Sequence, residues 1–86
     1  MDKDEAVRLA VKFLESNEEI GRFEVLNCIF MRATNPYERD RYVVSIKFKK
    51  KNDWVPEHHW RFAQIFVDAE TGDITWKDFS GIIDAM

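Results

Sequence analysis

Few residues of this chain carry side chains that could do chemistry. His58 and His59 are adjacent in a stretch that we predict to be a strand, so their side chains project to opposite faces and cannot meet at one metal ion. Cys28 lies among apolar residues, where a thiol behaves as a small, unreactive hydrophobe. The sequence offers neither a second cysteine nor a third histidine. We therefore predict no catalytic set, no metal and no cofactor, and expect that the chain is not an enzyme.

An acidic stretch in the last quarter of the sequence could suggest calcium binding. It contains Asp68, Glu70 and Asp73. The EF-hand loop, however, needs Gly where this chain has Asp73 and Glu where it has Phe79. Gly72 supplies the positive φ that a tight reversal requires. The stretch is therefore predicted to be a turn between two strands.

Four lysines cluster in the middle of the chain, close to Trp54. They are Lys47, Lys49, Lys50 and Lys51. Lysines beside an aromatic ring could bind single-stranded nucleic acid by charge and stacking. The net charge of the chain is −3, whereas nucleic-acid binders usually carry a basic excess. We predict that the lysines keep a hairpin edge soluble and that the protein binds no nucleic acid.

Three tryptophans stand near the ends of predicted strands. An indole there either fills the core or anchors a partner protein. The candidate partner-binding residues from the sequence are Trp54, His58, Trp60 and Trp76.

A helix and a sheet must position these residues. The helix is predicted from about Lys3 to Ser16, with Asp2 and Glu5 forming a capping box. Its apolar residues recur at intervals of three and four, so it must cover a sheet. The strands are predicted over about residues 22–34 and 41–49, and from about Trp54 or Glu57 to Asp68, with a short closing strand from Ile74. Gly21 is expected to form the turn into the first strand, and a short C-terminal helix is expected from the spacing of Phe79, Ile82, Ile83 and Met86.

The first and third strands are predicted to be apolar on both faces. In the first strand, strict alternation places Phe23, Val25, Ile29 and Met31 on one side and Leu26, Cys28 and Phe30 on the other. In the third strand, Ala63, Ile65 and Val67 could line up beside Leu26, Cys28 and Phe30, on the face opposite the helix. That face is covered by the C-terminal helix in one alternative, and forms a homodimer or partner surface in the other.

The stretch Phe66-Val67-Asp68-Ala69-Glu70-Thr71-Gly72-Asp73-Ile74 resembles the closing hairpin of PepSY-type domains. Asp4-Glu5-Ala6-Val7-Arg8-Leu9-Ala10 is similar to the start of the N-terminal helix in that family. The two matches bracket about residues 4–76. The resemblance implies a cystatin-like α+β architecture and a role in peptidase regulation or protein interaction, without a catalytic residue to transfer.

Length and composition predict one domain over residues 1–86. Hydrophobic residues make up 45% of the chain and aromatic residues 14%, which favours a packed globule over disorder. No long apolar run is present, so we predict no signal peptide and no membrane span. Cytoplasmic residence is the expectation. The fold class is predicted to be α+β, with the N-terminal helix packed on a 3-4 stranded antiparallel sheet.

Two functions are compatible with these features. The first is a non-catalytic binding or inhibitory module of PepSY-like type, which should present a hydrophobic edge or an exposed aromatic tip, most plausibly between Trp54 and Trp60. The alternative is a small immunity-type protein that neutralises a toxin by occlusion, through a charged surface such as Asp68, Glu70, Asp73 and Asp78. In both, the partner is an unknown protein.

Overall fold

The described part of the chain folds as one helix packed on a four-stranded antiparallel sheet. The computed structural model describes residues 1–52, 56 and 59–78. Its elements are α1 (Lys3–Ser16), β1 (Ile20–Met31), β2 (Arg41–Lys50), β3 (Arg61–Asp68) and β4 (Ile74–Asp78). Neighbouring strands pair in chain order, β1-β2-β3-β4, and all pairs are antiparallel. The predicted α+β class is confirmed, while the predicted C-terminal helix lies outside the described residues.

Helix α1 begins and ends where the sequence predicts. The Asp2 side chain accepts a hydrogen bond from the Glu5 backbone N–H at 2.8 Å, which satisfies one of the free N–H groups of the first turn. Ala6, Ala10 and Leu14 face the sheet and are almost completely buried. Two alanines at this spacing let the helix lie close to the strands, since neither projects beyond Cβ. None of the helices in the described part of the chain is long and apolar enough to cross a membrane.

The turn between α1 and β1 is formed by Asn17, and the prediction that Gly21 forms it is wrong. The Asn17 side chain accepts a hydrogen bond from the Glu19 N–H at 3.0 Å, and its carbonyl accepts one from Ile20 at 3.1 Å. The chain therefore enters β1 before Gly21. Within β1, a Cβ at Gly21 would lie 3.2 Å from the Lys49 carbonyl oxygen, so the strand backbones approach closely here.

The predicted faces of β1 are wrong because the strand is irregular at Leu26. The cross-strand partners on either side are Val25 with Ile46, Asn27 with Ser45, Cys28 with Val44 and Phe30 with Tyr42. Leu26 has no partner of its own, so the alternation of faces restarts after it. Val25 therefore shares a face with Cys28 and Phe30. This face is the one that α1 covers.

The core lies between α1 and this face of the sheet. Its buried residues are Ala6, Ala10, Leu14, Ile20, Tyr42, Val44, Ile46, Phe48, Ala63, Ile65 and Val67. The inward face predicted for β2 is confirmed. The prediction that Ala63, Ile65 and Val67 of β3 share one face is confirmed. The prediction that this face lies opposite the helix is wrong, since Ile65 pairs with Val44 and is fully buried under the helix. Val43, on the opposite face, is also only 2% exposed, between Ile29 and Phe66 on the flanking strands.

The β3–β4 turn has the geometry that the sequence predicts. Gly72 has φ 79°, and its N–H donates to the Asp68 carbonyl at 2.9 Å. The Asp68 carboxylate accepts hydrogen bonds from the N–H groups of Glu70 and Thr71. These bonds hold Asp68 at the end of the sheet where the β1–β2 loop also lies.

Candidate interaction surface

The outer side of β1 carries most of the large apolar residues that are exposed in the described part of the chain. No described strand pairs with this side, because β1 is the first strand of the sheet. Five of its large apolar residues are each between 36% and 49% exposed: Val25, Leu26, Ile29, Phe30 and Met31. They lie within seven consecutive positions of a strand whose outer edge can accept another strand.

The two edges of the sheet differ in how they are protected from strand pairing. Edge strand β4 has only five residues, and two of them, Lys77 and Asp78, are charged. Charged side chains and short length are common devices against edge-to-edge association. In β1 the segment Asn27–Met31 has no charged residue and no proline. In β1 these protective charges, together with its two irregularities, lie before Asn27.

Cys28 is the second residue of this segment and lies on the helix side. Burial raises the pKa of its thiol above the ordinary value, and the nearby Lys3 ammonium opposes that effect. The thiol is therefore protonated at neutral pH, as the sequence predicts for a cysteine in an apolar strand. Its partial exposure makes it a reporter of what covers β1.

Phe30 is held at the edge by an aromatic stack. Its ring lies 5.2 Å from that of Tyr42, with 27° between the planes. The Tyr42 hydroxyl donates to the Met1 carbonyl at 2.8 Å, which fixes the tyrosine. Phe30 therefore presents one ring face to Tyr42 and remains 43% exposed.

Trp60, a partner-binding candidate from the sequence, lies among three cations on the sheet face opposite the helix. Its ring centroid is 4.6 Å from Lys47 Nζ, 5.0 Å from Lys49 Nζ and 5.8 Å from Arg22 Cζ. Lys47 also forms an ion pair with Glu24 at 3.2 Å. The indole thus connects β1 and β2 to the segment before β3, through contacts worth about 0.5–1 kcal/mol each at exposed sites.

The other sequence candidates lie elsewhere. Trp76 on β4 is half-buried and packs edge-on against Phe13 at 6.0 Å and obliquely against Phe48 at 5.9 Å. Trp76 lies on the helix side of the sheet and Trp60 on the opposite side, so the structure does not bring the two together in one site. Trp54 and His58 lie outside the described residues. The partner-binding role of these four residues stays a prediction.

The acidic turn is joined to the β1–β2 loop by Arg39. The guanidinium contacts Asp68 at 2.7 Å and also forms an ion pair with Glu70. Hydrogen bonds from the two backbone N–H groups and the charge of Arg39 hold the pKa of Asp68 below its usual value. Asp68 and Glu70, which belong to the predicted charged surface, are therefore already paired within the chain.

Sequence reasoning missed Tyr37, which is 95% exposed at the tip of the β1–β2 loop. The loop is ordered by its own hydrogen bonds: Glu38 accepts from the N–H and hydroxyl of Thr34, and Asn35 accepts from the Tyr37 N–H at 2.9 Å. Tyr37 borders an open groove of about 350 Å³ that also contains Phe66. The Asn35-Pro36 turn was the available signal, but a turn does not tell whether the next side chain points outward.

Among the described residues no group of three or more His, Cys, Asp or Glu side chains is arranged to hold a metal ion. No family model, curated protein or solved structure matches this chain.

Proposed function

We propose that this chain is a non-catalytic protein-binding module of PepSY-like type that captures a partner by strand addition at the outer edge of β1. The observation that carries the proposal is the run of five exposed apolar residues on an edge strand that no described strand covers. For such a module the sequence predicts a hydrophobic edge or an exposed aromatic tip, most plausibly between Trp54 and Trp60, whereas this proposal places the edge on β1.

The physical driving force has two parts. Backbone N–H and C=O groups on an open strand edge can form a ladder with an extended peptide. Apolar side chains that leave water on both sides of that ladder add roughly 25 cal/mol for each Å² buried. The main-chain bonds give affinity, while the exposed residues around Ile29 select the partner's side chains.

Binding of peptides selected on the protein itself tests this proposal. Random peptides of about twelve residues, displayed on phage, are selected on the immobilised chain and their dissociation constants are then measured. Ile29→Lys places a charge in the middle of the edge and should weaken the selected peptides by about tenfold or more. Phe62→Lys is the matched control, because Phe62 is 37% exposed but lies on the inner strand β3.

If the selected peptides bind Ile29→Lys as tightly as the original chain, the outer edge of β1 is not the binding surface. Backbone amide shifts provide the second readout, and bound peptide should perturb residues 27–31 most.

Neutralisation of a toxin by occlusion is the alternative function. It would use the acidic residues of the β3–β4 turn, where Asp68 and Glu70 are already ion-paired with Arg39. An acidic contact weakens steeply with salt, whereas an apolar edge does not. A loss of affinity of tenfold or more between about 0.05 M and 0.5 M salt would favour occlusion.

A further inference from the structure

We propose that the strand that pairs with β1 is β1 of a second copy of this chain, antiparallel to the first about a two-fold axis beside Ile29. The inference rests on the proposed function, since it names the occupant of the same edge. The two helices would then lie on one face of a continuous eight-stranded sheet.

The regular part of β1 limits where such pairing can occur. The strand is irregular between Ile20 and Phe23 and again between Val25 and Asn27. Irregularities of this kind bend a strand and interrupt the ladder on its outer side. From Asn27 to Met31 the register with β2 is uninterrupted. The pairing segment therefore has five residues.

The polarity of this segment restricts the occupant. Ile29 and Met31 lie on the sheet face opposite the helix, whereas Cys28 and Phe30 lie on the helix side. Asn27, at the start of the segment, shares the face of Ile29 and Met31. Beside Cys28, Ile29 and Phe30, an added strand must consequently be apolar on both faces. A strand with one solvent-exposed face usually alternates apolar and polar residues. It would place polar side chains either against Ile29 or against Cys28 and Phe30. Among the described strands, the exposed one that meets the requirement is β1 itself, whose polar Asn27 falls only at the end of the paired segment.

The register follows from the same alternation. Directly opposite residues in an antiparallel pair share a face, so a two-fold axis perpendicular to the sheet must pass through a residue position and not between two. With the axis at Ile29, this residue faces its own counterpart, Cys28 faces Phe30, and Asn27 faces Met31. An axis at Cys28 or Asn27 would extend the pairing across the irregularity at Leu26. The axis at Ile29 thus pairs the whole regular segment, and no charged residue lies within it.

Five paired residues make a small contact, which sets the expected strength. Interfaces at the small end of the range form transient complexes. The dimer should therefore exchange with monomer as the concentration changes, and it competes with any other strand for β1. The mass in solution should rise from 10.3 kDa towards twice that value.

Light scattering after size-exclusion chromatography, across a hundredfold concentration range, measures this equilibrium. Ile29→Lys and Ile29→Glu each place like charges directly opposite across the axis and should raise the dissociation constant of the dimer by about tenfold or more. An equimolar mixture of the two variants pairs Lys with Glu at the axis and should restore the dimer. Phe62→Lys, with a similar change away from the edge, should leave it unchanged.

The outcomes separate this inference from the proposed function. An original chain that stays at 10.3 kDa up to about millimolar concentration overturns the dimer, while the phage-selected peptides still decide whether β1 binds a foreign strand. Dimers that persist in both Ile29 variants also overturn it. If both variants are monomers and their mixture does not associate, the axis does not lie at Ile29. Circular dichroism and thermal unfolding verify that each variant is folded, as expected for a residue that is 49% exposed.

Discussion

The thiol of Cys28 reports how far the helix side of β1 is buried from solvent. Its thiol pKa is raised chiefly by burial, with the Lys3 ammonium acting in the opposite direction. We expect the rate of alkylation by iodoacetamide, measured from about pH 6 to 10, to rise at a higher pH than for a cysteine in an unstructured peptide. The sign follows because burial disfavours the thiolate and so retains the proton.

Two changes test the cause of that shift. In concentrated urea the pH profile should move down to that of the free peptide, since the burial is lost. Lys3→Ala removes the opposing charge and should move the folded profile further up. A folded profile at or below that of the peptide would contradict the assignment of burial as the main cause.

At the same scale, some residues could be read from the sequence and others could not. The apolar residues near Cys28 in the sequence predict that its thiol is partly buried. The cations around Trp60 come from β1 and β2 and meet only through the strand register, so local spacing gives no sign of Arg22 at the ring. Tyr37 follows a clear turn signal, but its 95% exposure depends on hydrogen bonds made by Thr34 and Asn35.

The β3–β4 turn is an element whose conformation the sequence predicts and the structure confirms. Gly72 has φ 79°, and a Cβ there would meet only ordinary van der Waals contacts, 3.5 Å from Leu9 and 3.6 Å from Met1. The cost of a side chain is therefore in the backbone. We expect Gly72→Ala to lower the free energy of unfolding by about 1–2 kcal/mol, measured by urea denaturation.

Gly72→Asn is the matched variant for this turn. Asn adopts the left-handed conformation more readily than Ala, although it is the larger residue. It should therefore destabilise the protein less than Ala does. A greater loss with Asn would show that space near Leu9, and not the backbone angle, limits this position.

Strand β1 shows where element-level prediction fails. Strict alternation over residues 22–34 assigns Val25 and Ile29 to one face, and the pattern itself contains nothing against it. The irregularity at Leu26 appears only when β1 is matched with β2, because an extra residue in one strand is defined by the partner strand. The sequence correctly predicts that β1 is apolar on both faces, which is the property on which the binding proposal depends.

At the scale of the whole molecule, the order of elements was predictable and the layering was only partly so. The capped amphipathic helix, the clean alternation of β2 and the Gly72 turn each have a local signal. No local signal shows which face of β3 the helix covers, since both faces of that strand are apolar. The sequence predicts Ile65 opposite the helix, but Ile65 lies beneath it, because its neighbour across the strands is Val44.

One end of the molecule should make its stability depend on pH. Arg39 joins the β1–β2 loop to Asp68, and the Ala69 N–H donates to the Asp40 carbonyl at 3.0 Å. Backbone hydrogen bonds lower the pKa of both Asp68 and Glu38 in the folded state. The unfolded chain then binds protons more tightly, so this stabilisation is present above the ordinary carboxyl pKa near 4 and is lost as the pH falls through the folded values.

Thermal unfolding between about pH 7 and pH 2 measures this linkage, and Asp68→Asn isolates the contribution of Asp68. The amide oxygen can still accept the N–H groups of Glu70 and Thr71, but it carries no charge for Arg39. We expect the variant to unfold at a lower temperature at pH 7 and to lose less stability on acidification than the original chain. Asp73→Asn, which changes a carboxylate of the same turn outside the Arg39 ion pairs, should keep the original pH profile. If it flattens the profile as much as Asp68→Asn does, the pH dependence arises from the overall charge of the turn, and the link between Arg39 and Asp68 is not what stabilises this end of the sheet.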